Sequence, residues 1–546
     1  MPDRIESYKL LCTGGLFSSE NHLQLSDDMP GSATQLINYE PSLYGGYRRV
    51  EGFEYYDKTF PEVGAGASEG KVLCIAYYRN EHIGEPYAIS ARKDLDADTY
   101  SFWYHTNYIG WRKMAHPARK YSERTWTVDK VRFVQFDFGN GSQIVFVDGV
   151  NNAIMFDGED WFNLSPTGAG TIEDPGGDQV LARPATVDAF ENHLFLSNDV
   201  EYQSIVAHSA PLNVTDFTDA SGAGQIVSGF KVVQIKPFRD DLYVFGANSI
   251  KKLNPDIEAG FLLDQVTANV GCISTDSVVE IGGDLMFLSP SGLRPVAGTS
   301  RIGDVELQTI SEPIKSLLME AVSGTQLPSF NGVVIRAKSQ VRYFLDSGDD
   351  SISVQNSPGL IGAIAEDKSG FKWQFGRLRG IRATCVTSEY IGAEEFVLHG
   401  DYDGCVYRQE RGISFNNEDI IALYCTPYLD FGDTEIRKTI FNVNTFIRAE
   451  GPFEMYLGLD YNWGGNDTAT PANYPQFSLG APVDYGGSNV DYGAPNIIYG
   501  GGQEPLIRTS VEGSGFSVRA TYVTVGQTSP YSIQGIVFEH STEGRK

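Results

Sequence analysis

Side chains able to do chemistry are plentiful in this chain, but their spacings do not assemble a catalytic or metal-binding set. In DLDAD, Asp94, Asp96 and Asp98 occupy alternate positions, as carboxylates do in a calcium loop. Thr99 then stands where the sharp turn of such a loop needs Gly, and His105 where it needs a bidentate Glu. The run reads as a solvated hairpin. The acidic pairs Asp240/Asp241, Asp349/Asp350 and Glu394/Glu395 have the residue type for glycoside hydrolysis, but they fall in expected turns and strand ends, where acidic pairs are ordinary. The eight histidines are dispersed, His22 and His193 among them, with no HxH or HExxH and no Cys/His set at zinc spacing. Neither a GxSxG elbow nor a GxxxxGK[ST] loop occurs, and GAGASEG (64–70) has the spacing of a linker. No catalytic residue, metal ligand or cofactor is expected.

The elements that would position any site are strands. One two-strand phrase recurs: an aromatic or β-branched run, a Gly/Asp/Asn/Ser turn, and a second short run. Its copies are PYAISARKDLDADTYSFWY, QIVFVDGVNNAIMF, HLFLSNDVEYQSIVAH, LYVFGANSIKKL, LMFLSPSGLRPVAG, VRYFLDSGDDSISV and FVLHGDYDGCVYRQ, whose starts differ by 57, 50, 49, 43, 56 and 55 residues. A four-stranded propeller blade takes roughly 40–50 residues, so the period predicts an irregular β-propeller of about seven blades over 71–411. Alternating strands precede several copies, at 131–138, 185–190, 232–238 and 276–281. FDGEDW (156–161) is similar to the S-x-D-x-G-x-x-W box of sialidase-type propellers, but the Ser is missing and Asp157 abuts Gly158. A turn followed by a core Trp explains it equally well. One helix is expected in SEPIKSLLMEAVSG, with Ser311 as its cap, Pro313 in its first turn and an apolar stripe of Ile314, Leu317, Leu318 and Ala321. Past 411 the strands lengthen and the phrase disappears. Residues 412–546 therefore read as a C-terminal β-sandwich with a Gly/Tyr-rich insertion at 466–503, and residues 1–70 as an irregular lead-in.

Composition agrees with an all-β chain. Gly reaches 59 of 546 residues, about 11% against a usual ~7%, and aromatics 12%. Lys and Arg number 42 against 70 Asp and Glu, a net charge of −28 that repels phosphate backbones and argues against a sequence-reading nucleic-acid binder. No stretch approaches the ~18 apolar residues of a membrane span, and the opening MPDRIESYKLLCTGG lacks the features of a signal peptide. The six scattered cysteines contain no CxxC and read as buried thiols of a reducing cytosol.

Three phrases carry a resemblance. The lead-in GGLFSSENHLQLSDDMPGSATQLINYEPSLYGGYRRVEGF (14–53) resembles the opening of structural proteins from tailed bacteriophages, in which a similar phrase precedes a β-propeller. VFGANSIKKL (244–253) and the ending SPYSIQGIVFEHSTEGRK (529–546) are similar to segments of podophage packaged-DNA stabilisation proteins, the tail hub or nozzle group. The resemblance implies a non-enzymatic virion protein in the tail, assembled in the host cytoplasm. It also implies self-association as a ring, a hexamer by that resemblance, contacts with portal, adaptor or other tail proteins and with tail fibres, and DNA that passes without tight binding. Within that expectation Arg48 and Arg49 of GGYRR either pair with an acidic neighbouring subunit or bind the lead-in to the propeller internally. Tyr485, Tyr492 and Tyr499 of the insertion are candidate interface residues. The alternative is a receptor-binding, tail-fibre or baseplate module whose loop tyrosines stack on host-surface glycan.

Overall fold

The computed structural model describes residues 5–542 apart from 19–20, 43–44, 60–69, 80–86, 95–98, 107, 115–118, 121–127, 138–140, 165–179, 257–259, 297–308, 323–328, 347–355, 368–369, 465–473 and 479–505. The chain is all-β, a propeller joined to a two-layered sandwich. Among the described residues, six radial sheets of four or more strands surround one axis, with a three-stranded seventh set between two of them. Their innermost strands are Val72–Tyr78, Arg132–Asp137, Thr186–Phe190, Val232–Phe238, Val279–Ile281, Ser329–Ile335 and Cys385–Ile391, which define blades 1 to 7. Each of the seven sequence phrases carries the second strand of a blade. In six of them the third strand follows directly, as in Leu242↔Leu253 and Val145↔Met155. In blade 6 the second run of the phrase lies outside the described residues, and the third strand is Pro358–Asp367.

The turns of these hairpins explain why the phrase repeats. In blade 2 the Asp148 carboxylate accepts from the amides of Val150 and Asn151 at 2.8 and 2.7 Å. In blade 3 Asp199 accepts from Arg183, Glu201 and Tyr202 amides at 2.6, 2.8 and 3.2 Å. A short acidic side chain thus satisfies the backbone donors left over by a tight turn. Asp157 does the same for Glu159 and Asp160 in FDGEDW, and the buried Trp161 packs on Phe102, Phe146 and Phe156.

Ring closure borrows a strand. Phe53–Tyr55 of the lead-in pairs with Val406–Gln409 as the outermost strand of blade 7, whose innermost strand lies beside that of blade 1. The lead-in also supplies Gln35–Ile37, which pairs with Gly370–Arg379 of blade 6 on one side and Ile420–Cys425 on the other. The blade 6 sheet therefore continues through Ile420–Cys425, Val518–Gly526 and Phe453–Tyr461 to Tyr474–Ser478, nine strands in all. The facing layer contains Glu6–Leu11, Tyr39–Pro41, Tyr47–Arg49, Lys438–Ala449, Leu506–Ser510 and Tyr531–Thr542. Alternation buries one face of Phe453–Tyr461 throughout and of Lys438–Ala449 on either side of a register shift at Ile440/Asn442, and the two layers share a core that includes Val443, Ile447, Leu457, Tyr522 and Ile536. Thr445 and Tyr522 hydroxyls bridge the layers at 2.8 Å.

The expected helix is present as a turn at Glu312–Ile314 followed by α2, Lys315–Val322, but Ser311 does not cap it. Its buried Oγ accepts instead from the Leu293 amide at 3.0 Å, tying the helix approach to blade 5. A helix not expected from the sequence, α1, spans His22–Asp28. All six cysteines are free thiols, and among the described residues no helix is long and apolar enough to cross a membrane.

Candidate functional site

The innermost strands of a propeller point alternate side chains at the axis, where they converge. In this chain the axis holds a cavity of about 190 Å³ to which every blade contributes lining residues. Its charged residues are Lys130 and Arg132 from blade 2, Asp188 from blade 3, Lys236 from blade 4 and Asp276 beside blade 5. Arg132 forks onto Asp276 with Nε and Nη2 both at 2.8 Å, and Lys130 reaches the same carboxylate at 3.1 Å. Lys236 pairs with Asp188 at 2.9 Å. Burial alone would raise the Asp276 carboxyl, but Arg132 and Lys130 outweigh it and hold the group well below the usual carboxylate range. Asp188 in turn raises the Lys236 ammonium. Burial pushes the Cys385 thiol up to about 11 and raises Cys74 as well, so both thiols in the lining stay protonated at neutral pH.

Asp276 is held ionised and the two thiols are held protonated, while the axial ion pairs tie blades together: Lys236–Asp188 joins neighbouring blades 4 and 3, and Arg132–Asp276 crosses the axis from blade 2 to the approach to blade 5. The Gln234 Oε1 is buried in the same lining without a hydrogen-bond partner among the described residues.

A second charge cluster gathers around the lead-in. Glu40 and Arg48 are register partners on Tyr39–Pro41 and Tyr47–Arg49. Glu40 is 2% exposed and accepts from Arg48 Nη1 at 2.8 Å, Lys338 Nζ at 2.8 Å, Arg342 Nη2 at 3.0 Å and Gln340 Nε2 at 3.1 Å. Arg342, fully enclosed, also pairs with Glu410 at 2.6 Å, and Lys338 contacts Glu410 too. Arg48 extends the network outward to Glu51 at 2.6 Å and Glu450 at 2.5 Å. One network thus joins the lead-in, blade 6, the end of blade 7 and the sandwich.

No protein-family model matches the chain, and no curated protein matches it in sequence. Among solved structures it is similar to the extracellular domain assigned to a hybrid two-component system of B. thetaiotaomicron, at 9% identity and a TM-score of 0.36 over 67% of this chain and 40% of that one. It is also similar to an ancestral GH74 enzyme, at 12% identity and a TM-score of 0.38 over 69% of this chain and 50% of that one. A family 43 arabinoxylan arabinofuranohydrolase from Bacillus subtilis aligns at 10% identity and a TM-score of 0.25. The chain spans half or less of the length of the first two.

Among the sequence-selected residues, Arg48 lies in the network just described, and Arg49 is buried and donates to the Thr528 and Gly526 carbonyls at 2.6 and 2.9 Å. Both guanidiniums are engaged within the chain. Tyr485, Tyr492 and Tyr499 lie outside the described residues, as do Asp96, Asp98, Asp349 and Asp350. Asp94 accepts from Thr99 and Ser101 hydroxyls at 3.1 and 2.5 Å inside its hairpin. His193 bonds the Ser209 carbonyl through Nδ1 at 2.7 Å. Sequence reasoning missed the axial residues. The available signal was a charged side chain on several inner strands, Arg132, Asp188 and Lys236, among apolar neighbours.

Proposed function

We propose that this protein is a structural, non-catalytic component of a tailed-phage virion, a tail hub or nozzle whose copies form a ring around the DNA exit path and help retain the packaged genome. The carrying observation is electrostatic: the chain has a net charge of −28, and many of its cations are tied up internally. Arg48, Arg132, Lys236, Lys338, Arg342, Arg382 and Arg519 all pair with carboxylates of the same chain. Phosphate contacts by free Lys and Arg are what make DNA binding tight, so a wall of this kind lets a duplex slide. The axial cavity of 190 Å³ is charge-paired, and a sphere of that volume is only about 7 Å across, less than the ~12 Å width of a duplex's major groove alone. The path therefore lies between copies rather than through a propeller, which is why the reading requires a ring.

Electron microscopy of the purified protein tests the ring directly, and a gel-shift at low salt tests the wall. Closed rings and unretarded duplex are the expected results. Tight, salt-sensitive retention of DNA would refute the sliding wall, and a monomer that stays monomeric alongside purified portal and adaptor proteins would refute the conduit.

A further inference from the structure

A second cavity, of about 290 Å³, lies between α2 and the strands of blade 6, away from the axis. Its volume is near the lower end of the ~300–1,000 Å³ usual for small-molecule sites. Most of its wall is apolar, with Leu317, Leu318 and Ala321 from the helix opposite Leu360 from the sheet. The exception is a pair of arginines. Arg377 and Arg379 are two residues apart on Gly370–Arg379, so they stand on the same face of the strand, and both line the cavity.

Neither guanidinium has a hydrogen-bond or ion-pair partner among the described residues, in contrast to the paired cations of the axis and the lead-in network. Among the described residues Glu320 of α2 is the one carboxylate in the lining, against two guanidiniums. Burial lowers the Arg377 guanidinium from its ordinary value and the like charge of Arg379 lowers it further, with Glu320 opposing both. Two half-buried cations beside an apolar hollow are destabilised until an anion joins them.

We propose that this cavity binds a small amphiphilic carboxylate of the medium-chain fatty-acid class. Its hydrocarbon lies against Leu317, Leu318, Ala321 and Leu360, and its carboxylate lies between Arg377 and Arg379. The planar guanidinium fork matches a carboxylate geometrically, and the helix wall supplies the apolar surface that a hydrophilic anion would leave unfilled.

Titration calorimetry on the full chain with decanoate, decanol and acetate tests each half of the argument. Saturable one-to-one binding of decanoate is expected, with decanol and acetate each at least about 10-fold weaker. Arg377→Gln/Arg379→Gln should weaken decanoate about 10- to 100-fold at an unchanged unfolding midpoint, since neither side chain is ion-paired. Ala321→Phe should block binding by filling the hollow. Failure of decanoate to bind, equal binding of decanol, or full affinity in the double arginine variant would each overturn the proposal. Flotation with phosphatidylglycerol vesicles separates a free carboxylate from a lipid headgroup. Vesicle association lost in the arginine variant would assign the pair to a membrane lipid and overturn it as well.

Discussion

Glu40→Gln should be among the most damaging single-atom changes in this protein. The substitution keeps the shape of the side chain and removes its charge. In the native chain that carboxylate faces three cations and an amide at 2.8 to 3.1 Å while being 2% exposed. The glutamine offers one oxygen and turns an NH2 group toward ammonium and guanidinium donors. Arg48 retains Glu51 and Glu450, which are 27% and 41% exposed, but among the described residues Lys338 and Arg342 are left with Glu410 as their one carboxylate, Arg342 keeping only the neutral oxygens of Gln340 and Gln409 besides. Breaking a buried ion pair by removing one partner costs about 3–5 kcal/mol, a large fraction of the ~5–15 kcal/mol that stabilises a folded domain. The assay is urea unfolding followed by tryptophan fluorescence, read as a midpoint shift at constant slope. Glu312→Gln is the control, because its pair with Lys315 at 3.1 Å has side chains 62% and 47% exposed and should cost no more than about 0.5 kcal/mol. The pH dependence has a definite sign. Burial would raise the Glu40 carboxyl, but Lys338, Arg342 and Arg48 hold it well below its unfolded value, so its contribution is complete above about pH 4.5 and is lost as pH falls through the folded pKa. A Glu40→Gln midpoint within about 1 kcal/mol of the parent would refute the claim that this network clamps the lead-in.

Three further outcomes are expected. Gly46→Ala should destabilise by at least about 1–2 kcal/mol, since φ is +86° there and a Cβ would lie 2.2 Å from the Ile533 carbonyl oxygen; chemical denaturation measures it. Burial pulls the His399 imidazole down to about 3, so the unfolded chain binds a proton that the folded chain does not, and stability should fall as pH drops from about 6.5 toward 3; His399→Phe should flatten that slope in unfolding curves taken across the window. Deleting 484–502 should weaken ring assembly in sedimentation experiments while the unfolding midpoint stays in place, and loss of folding would make that segment part of the core.

The parts of the fold legible in the sequence were those encoded locally. Each hairpin phrase carries its own turn residues and its own alternation, an acid in QIVFVDGVNNAIMF with Asp148 at the bend and Asn or Ser in LYVFGANSIKKL and LMFLSPSGLRPVAG, so a blade announces itself within about fifteen residues. The helix stripe was legible for the same reason. Its cap was not, because Ser311 has the right residue type for a cap but is drawn to the Leu293 amide, a partner 18 positions away that local pattern does not reveal. The axial charges show the same limit. Arg132 and Asp276 are 144 positions apart and meet only because the ring brings every inner strand to one line.

The lead-in shows the limit most sharply. Its strands Gln35–Ile37, Tyr39–Pro41, Tyr47–Arg49 and Phe53–Tyr55 are three residues each, too short to carry a period, and three of them pair with strands far along the chain while Tyr39–Pro41 pairs with Tyr47–Arg49. What holds them is chemistry that becomes readable only in three dimensions, with Glu40 reaching Arg342, Arg48 reaching Glu450 and Arg49 reaching the carbonyl of Thr528. This arrangement has a mechanical consequence. Blade 7 is completed by Phe53–Tyr55, and the chain just before that strand is clamped to blade 6 and to the final strand Tyr531–Thr542. Propeller closure and sandwich packing therefore depend on the same short segment. A force or a partner that loosens the GGYRR turn would be felt at both the ring seam and the sandwich, and a mutation there should lower the cooperativity of the whole chain rather than release one domain from the other.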